Sequence, residues 1–141
     1  MNKTNIEIKG NNGENWVMGN LMQKGYHIIK IGHLKFLIDL IVIGQFKIFA
    51  IQVKNKEPRI YYPDTGLEKW RFLKYKELNN WIKILILFTE KNGRIYGDWI
   101  DNLEIEEGHG NQENKIDNCE MVYWWIKNLK ELDNLLPPLT N

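Results

Sequence analysis

Phe36-Leu-Ile-Asp-Leu-Ile-Val-Ile43, followed after Gly44-Gln45 by Phe46-Lys-Ile-Phe-Ala-Ile-Gln-Val-Lys54, is the stretch that decides the fold. Both runs are rich in β-branched and aromatic residues, the composition of strands. A two-residue loop with glycine first suits a type II′ hairpin turn. Pairing Ile43 with Phe46 sets Asp39 opposite Ala50 and diagonal to Gln52. Alternation then places Asp39, Gln52 and Lys54 on one face. Diagonal positions lie about 7–8 Å apart, a gap that two side chains close around one ion. A lone buried carboxylate costs several kcal/mol unless it is paired or binds something. An acid inside one apolar strand, beside a lysine ending the next, therefore points to a divalent cation.

Working outward, Asn11-Asn-Gly-Glu14 reads as a capping box opening a helix, with Val17, Met18, Leu21 and Met22 as its apolar stripe and Gly25 as its stop. Residues 1–10 read as a polar, fraying end, and Tyr26–Ile31 as a short strand. Pro58 and Pro63 mark an irregular connection after the hairpin. Thr65-x-x-Glu68 reads as a second capping box, for a basic helix running to about Asn80. Ile82–Thr89 reads as a strand buried on both faces, and Asn92-Gly93 as a turn into Ile95–Ile100. Residues 101–118, acidic and rich in Gly and Asn, read as a loop. Glu120–Ile126 reads as a last strand, and Lys127–Leu136 as a short closing helix ended by Pro137-Pro138. The order predicts a single α/β domain over 1–141: a mixed central sheet with a helix packed on each face.

Composition narrows the function classes. The 141 residues carry one cysteine, Cys119, which excludes an internal disulfide and fits a reducing cytoplasm. The N-terminus shows no signal peptide, and no apolar run reaches the roughly 20 residues a membrane helix needs. Net charge +1 hides an asymmetry, with residues 1–97 at +8 and residues 98–141 at −7. A basic front suits a polyanionic partner, although an unliganded lysine surface reads the same way.

Each candidate residue has a structural alternative. Asp39 as a structural acid would pair with a buried lysine or backbone amides, and Glu14 in a capping box needs no catalytic role. Gln52 and Lys54 would be unremarkable at a strand end without Asp39. His27 and His33 lack a spaced partner and read as surface or packing residues; His109 reads as solvated. Tyr123-Trp124-Trp125 reads as core and interface. Zinc spacings, phosphate loops, dinucleotide turns and Ser/His/Asp signatures are lacking. What remains suits phosphodiester hydrolysis: Asp39 as a hard oxygen ligand for Mg²⁺ or Mn²⁺, the Gln52 amide and Val53 carbonyl as further oxygens, and Lys54 to position water and offset phosphate charge. Glu14 can complete the site through the metal or a bound water.

From about Asn11 to Leu103 the sequence resembles the PD-(D/E)XK nuclease superfamily, and within it the archaeal-type Holliday junction resolvases. The resemblance is carried by Gly13-Glu14-x-x-Val17, Leu21-x-x-x-Gly25-Tyr26, Ile38-Asp39-Leu40-Ile41, Ile51-Gln52-Val53-Lys54, a basic helix, Ile84–Phe88 and Asn92–Tyr96. It implies a restriction-endonuclease-like fold. Glu14 would be the helix-borne acid, Asp39 the central metal ligand, Gln52 would stand at the second acidic position, and Lys54 would be the catalytic lysine. It also implies a homodimer nicking branched DNA with Mg²⁺. Ile38 departs from the proline of the family name, which supplies no ligand. Gln52 departs from Asp or Glu and removes one negative charge, as in Mrr-like nucleases.

The expectation is a Mg²⁺-dependent endodeoxyribonuclease selective for branched DNA. Lys30, Lys35, Lys56, Arg59, Lys69, Arg71 and Lys74 would track the backbone. The alternatives are a restriction- or repair-type nuclease on linear duplex, a catalytically silent DNA-binding module of the same fold, and a protein-binding decoy using the acidic 101–120 segment.

Overall fold

The computed structural model describes residues 5–31, 37–106, 113–114 and 119–139; side chains are described for these except 5–11, 113–114 and 119. Lys35, His33 and His109 lie outside the described residues. A six-stranded mixed sheet forms the centre, in the order β1 (His27–Lys30), β2 (Leu40–Gly44), β3 (Lys47–Asn55), β5 (Ile84–Thr89), β6 (Ile95–Trp99), β9 (Lys130–Glu131). A second, three-stranded sheet is built from β4 (Asp64–Glu68), β8 (Cys119–Trp125) and β7 (Glu113–Asn114). β3 pairs antiparallel with β2 and parallel with β5.

The alternation of β3 separates two cores. Phe49, Ile51 and Val53 pack with Leu40, Val42, Leu85 and Leu87 beneath α1 (Asn5–Gln23) and α3 (Leu132–Leu135). Ala50, Ile84, Ile86 and Phe88 pack on the other side against Phe72 and Tyr75 of α2 (Lys69–Leu78) and against Leu67, Val122 and Trp124 of the small sheet. β5 is buried along its whole length, as its unbroken apolar run requires of a strand covered on both faces. Among the described residues no helix is long and apolar enough to cross a membrane.

Several boundaries differ from expectation. α1 begins at Asn5, so Asn11 is inside the helix and the capping box at Asn11–Glu14 does not form. Its buried stripe is Val17 and Leu21 with Met18 half-buried, while Met22 faces solvent. The stop at Gly25 is as expected: φ is +96°, and the Gly25 and Tyr26 N–H groups close back onto the Met22 and Leu21 carbonyls. Asp64–Glu68 is a strand rather than the first turn of a helix, because it pairs residue for residue with β8. The expected 127–136 helix is divided: Ile126–Asn128 is a 3-10 turn, Lys130–Glu131 adds an edge strand against β6, and only Leu132–Leu135 is α-helical. Within the expected 101–118 loop, Glu113–Asn114 pairs with β8.

The hairpin register is shifted by two residues. Gly44 pairs with Lys47 and the loop is Gln45-Phe46, with Phe46 at φ 63°. The Tyr26 ring lies over Gly44, and a Cβ there would meet the ring at 3.1 Å. A two-residue shift preserves which β3 side chains face which layer. It also moves Asp39, one step past the Leu40–Ile51 pair, from opposite Ala50 to the level of Gln52.

Candidate active site

The site forms where β2 begins, beside the C-terminal half of β3. The Asp39 N–H donates to the Ile51 carbonyl and the Asp39 carbonyl accepts from Ile31 N–H, so its backbone is fixed on both sides. Its carboxylate does not stand on one face beside Gln52 and Lys54 as alternation implied. It turns into the sheet and accepts the Val53 N–H at 2.8 Å, taking the place of a ladder carbonyl. From there it meets groups from both layers.

From the α1 side comes Glu14, whose carboxyl acts electrostatically on that of Asp39. Gly13 makes this approach possible: a Cβ on it would lie 2.6 Å from Thr89 Oγ1 and 3.4 Å from Asn55 Cβ, at the ends of β5 and β3. Lys30 of β1 lies 3.6 Å from the Glu14 carboxylate. Burial pushes the Asp39 carboxyl up to about 7; the Val53 N–H and Arg71 pull it down, and the neighbouring Glu14 pushes it further up.

From the α2 side come Glu68, Arg71 and Tyr75. Lys54 Nζ donates to Glu68 Oε1 at 3.1 Å, and Arg71 Nε lies 3.4 Å from Glu68 Oε2 as an ion pair without hydrogen-bond geometry. Burial alone would raise the Glu68 carboxyl, but the Lys54 ammonium and Arg71 hold it below the ordinary glutamate range. Tyr75 donates to the Leu37 carbonyl at 2.7 Å, and burial raises its hydroxyl above the ordinary tyrosine range. The fully buried tyrosine thus ties α2 to the segment that carries Asp39.

Gln52 donates from Nε2 to the Val53 carbonyl at 3.2 Å, and its buried Oε1 has no hydrogen-bond partner. An orphaned amide oxygen is costly in a dry setting and is a ready ligand. Among the described residues no three His, Cys, Asp or Glu side chains form a metal cage. The donor set is instead two carboxyls, Asp39 and Glu14, with neutral oxygens from Gln52 and Val53. That set fits Mg²⁺, which takes one or two carboxylates and fills its remaining positions with water and substrate phosphate.

The expected DNA-contacting residues scatter in role. Lys30 and Arg71 reach the site. Lys56 donates to the Gly66 carbonyl at 3.3 Å and lies over the Tyr123 ring, and burial lowers its pKa. Arg59 is forked onto the buried Asp64. Lys69 pairs with Glu120 at 3.1 Å, and Lys74, exposed, lies 3.7 Å from Glu77. His27 is exposed on β1. Trp124 belongs to the core and donates to the Glu104 carbonyl. Glu68 and Tyr75 escaped sequence reasoning. Glu68 was absorbed into a capping box, yet it makes no side-chain cap and is free to hold Lys54. Gly66, a poor residue two positions into a helix, was the signal against that box.

No family model matches the sequence, and no curated protein does. Among solved structures, a Holliday junction resolvase from Archaeoglobus fulgidus, an archaeal hyperthermophile, aligns with TM-score 0.67 at 12% identity, covering 94% of this chain and 99% of that one. A bacterial homing endonuclease aligns with TM-score 0.54 at 12% identity, covering 88% of this chain and 76% of that one. At such identity the likeness is one of architecture: the mixed sheet with flanking helices that the PD-(D/E)XK resemblance implied is the fold this chain shares with both.

Proposed function

We propose that this protein is a metal-dependent DNA endonuclease, selective for branched DNA and acting as a homodimer. The observation that carries the reading is the Glu14–Asp39 carboxyl pair beside the partnerless Gln52 amide oxygen. The fold it shares with two proteins named as a resolvase and an endonuclease supports it. Asp39 and Glu14, with the Gln52 amide oxygen and Val53 carbonyl, would hold Mg²⁺ or Mn²⁺. When bound, the cation would polarise the scissile phosphate and lower the pKa of a coordinated water.

The remaining work falls to this chain's own residues. Lys54, oriented by Glu68, offsets charge developing on the phosphate and positions the attacking water. Arg71 adds a second cation, and Tyr75 ties the helix that carries Arg71 to the Leu37–Asp39 segment. A twofold dimer presents two such sites, as paired nicks on a four-way junction require.

A second reading has its own support. Gln52 lacks the usual charge, and Lys54 is engaged by Glu68, which suits a silent DNA-binding module. Cleavage of four-way junction, flap, linear duplex and single-stranded DNA with Mg²⁺ or Mn²⁺ separates the readings. The endonuclease reading expects metal-dependent nicking that Asp39→Asn and Lys54→Ala abolish while sparing binding. Equal cutting of junction and duplex rejects branch selectivity, and binding without any nicking by wild type favours the silent module.

A further inference from the structure

We propose that the loop between β3 and β4 is a wedge, whose tip residues Ile60 and Tyr61 press against unstacked bases of the DNA held at the Asp39–Lys54 site. The inference rests on the DNA-endonuclease reading above.

Ile60 and Tyr61 are 92% and 86% exposed, and Tyr62 is 52% exposed. Single exposed apolar residues are ordinary on any surface. A consecutive run of large ones on a loop tip, next to a candidate site, is a contact surface.

The loop is built to present them. The Arg59 N–H donates to the Asp64 carbonyl at 3.1 Å and the Asp64 N–H to the Tyr62 carbonyl at 2.8 Å. The Arg59 guanidinium is forked onto the fully buried Asp64 carboxylate, with Nε–Oδ1 at 2.7 Å. The same guanidinium lies 3.8 Å over the Tyr123 ring and 4.9 Å over Tyr62. Pro58 and Pro63 stiffen both arms. The tip is therefore preorganised, which lowers the ordering cost of contact.

Its place and chemistry select the partner. Lys54, Glu68, Arg59 and Asp64 all act electrostatically on Lys56, so the base of the loop adjoins the site. Phe46, another fully exposed apolar residue, lies at the opposite end of β3. Aromatic faces stack on any base, and apolar side chains inserted at a base step hold it open. Lys54 is paired with Glu68 and Arg59 with Asp64, so the base of the loop is charge-balanced and the tip meets the DNA through stacking and apolar contact rather than through charge.

The test uses a four-way junction carrying 2-aminopurine at the branch, with EDTA present to prevent cutting, and anisotropy of a second dye to read binding. Wild type should raise the 2-aminopurine emission. The Ile60→Ser/Tyr61→Ser double variant should bind roughly 5- to 150-fold more weakly, the range one lost base stack corresponds to, and raise no emission. Tyr61→Phe, which keeps the ring, should behave as wild type. Salt-dependent binding by wild type without an emission change, or equal binding by the double variant, overturns the wedge and leaves the nuclease reading intact. No DNA binding at all overturns both. If the double variant halves the sedimenting mass yet keeps the emission rise, the loop joins two copies of the chain and the wedge is overturned.

Discussion

The Asp39 carboxylate accepts the backbone N–H of Val53 at 2.8 Å, so a side chain extends the ladder just before strand β2 begins. The bond fixes the acid's direction, while burial and Glu14 make its charge expensive.

Asp39→Asn should stabilise the metal-free protein above neutral pH while abolishing metal-dependent cleavage. The carboxyl is raised from its ordinary 3.8 to about 7, so the folded state holds the proton more tightly than the unfolded one. Stability is therefore lost as pH rises between those values, and the penalty is complete above about 7. Asparagine keeps an acceptor for Val53 and carries no charge. A gain of a few kcal/mol at pH 8, shrinking to a small one near pH 4, is expected from thermal unfolding.

Gln52→Glu should lower the melting temperature of the metal-free protein and increase the rise produced by Mg²⁺. A third carboxyl added near Glu14 and Asp39 repels both until a cation binds. Thermal unfolding with and without saturating Mg²⁺ checks both directions; a variant with an unchanged Mg²⁺ response would place Gln52 outside the metal site.

Gly13→Ala should destabilise by about 1–3 kcal/mol, because the new methyl meets Thr89 Oγ1 at 2.6 Å and overpacking costs that much. Thr89→Ala should recover part of the loss in the double variant. A double-mutant cycle by denaturant unfolding measures the coupling.

Tyr75→Phe should cost about 1 kcal/mol by removing the bond to the Leu37 carbonyl and leaving that carbonyl unpaired. Cleavage should fall more than binding, because α2 loses its bond to the segment that carries Asp39. Denaturant unfolding and single-turnover cleavage read the two effects separately.

Much of this was readable locally. The Ile84–Thr89 run, the Gly25 stop and the Asn92-Gly93 turn are set by neighbours a few residues away, and each stands as expected. Asp39 bonds the Val53 N–H between Gln52 and Lys54 of β3 rather than standing on one face with them, and Lys54 turns to Glu68. Long-range contacts decided the remainder. Gly44 pairs with Lys47 under the Tyr26 ring, a contact from outside the hairpin that local turn rules do not contain. β8, more than fifty residues downstream, turns Asp64–Glu68 from helix start into strand. Lys130–Glu131 is drawn onto Tyr96–Gly97 before a closing helix can form. Glu68 and Tyr75 became visible as site residues only once these pairings were made.

The acidic last third of the chain answers the basic front pair by pair. Asp133 meets Lys24, Glu120 meets Lys69, Asp101 meets Lys83 and Glu131 meets Arg94, while β8 covers α2. At these four pairs the tail supplies counter-ions to the front, and drift in one constrains drift in the other. Excising the tail would leave a polycation with an open sheet edge, prone to precipitate on nucleic acid rather than to read it.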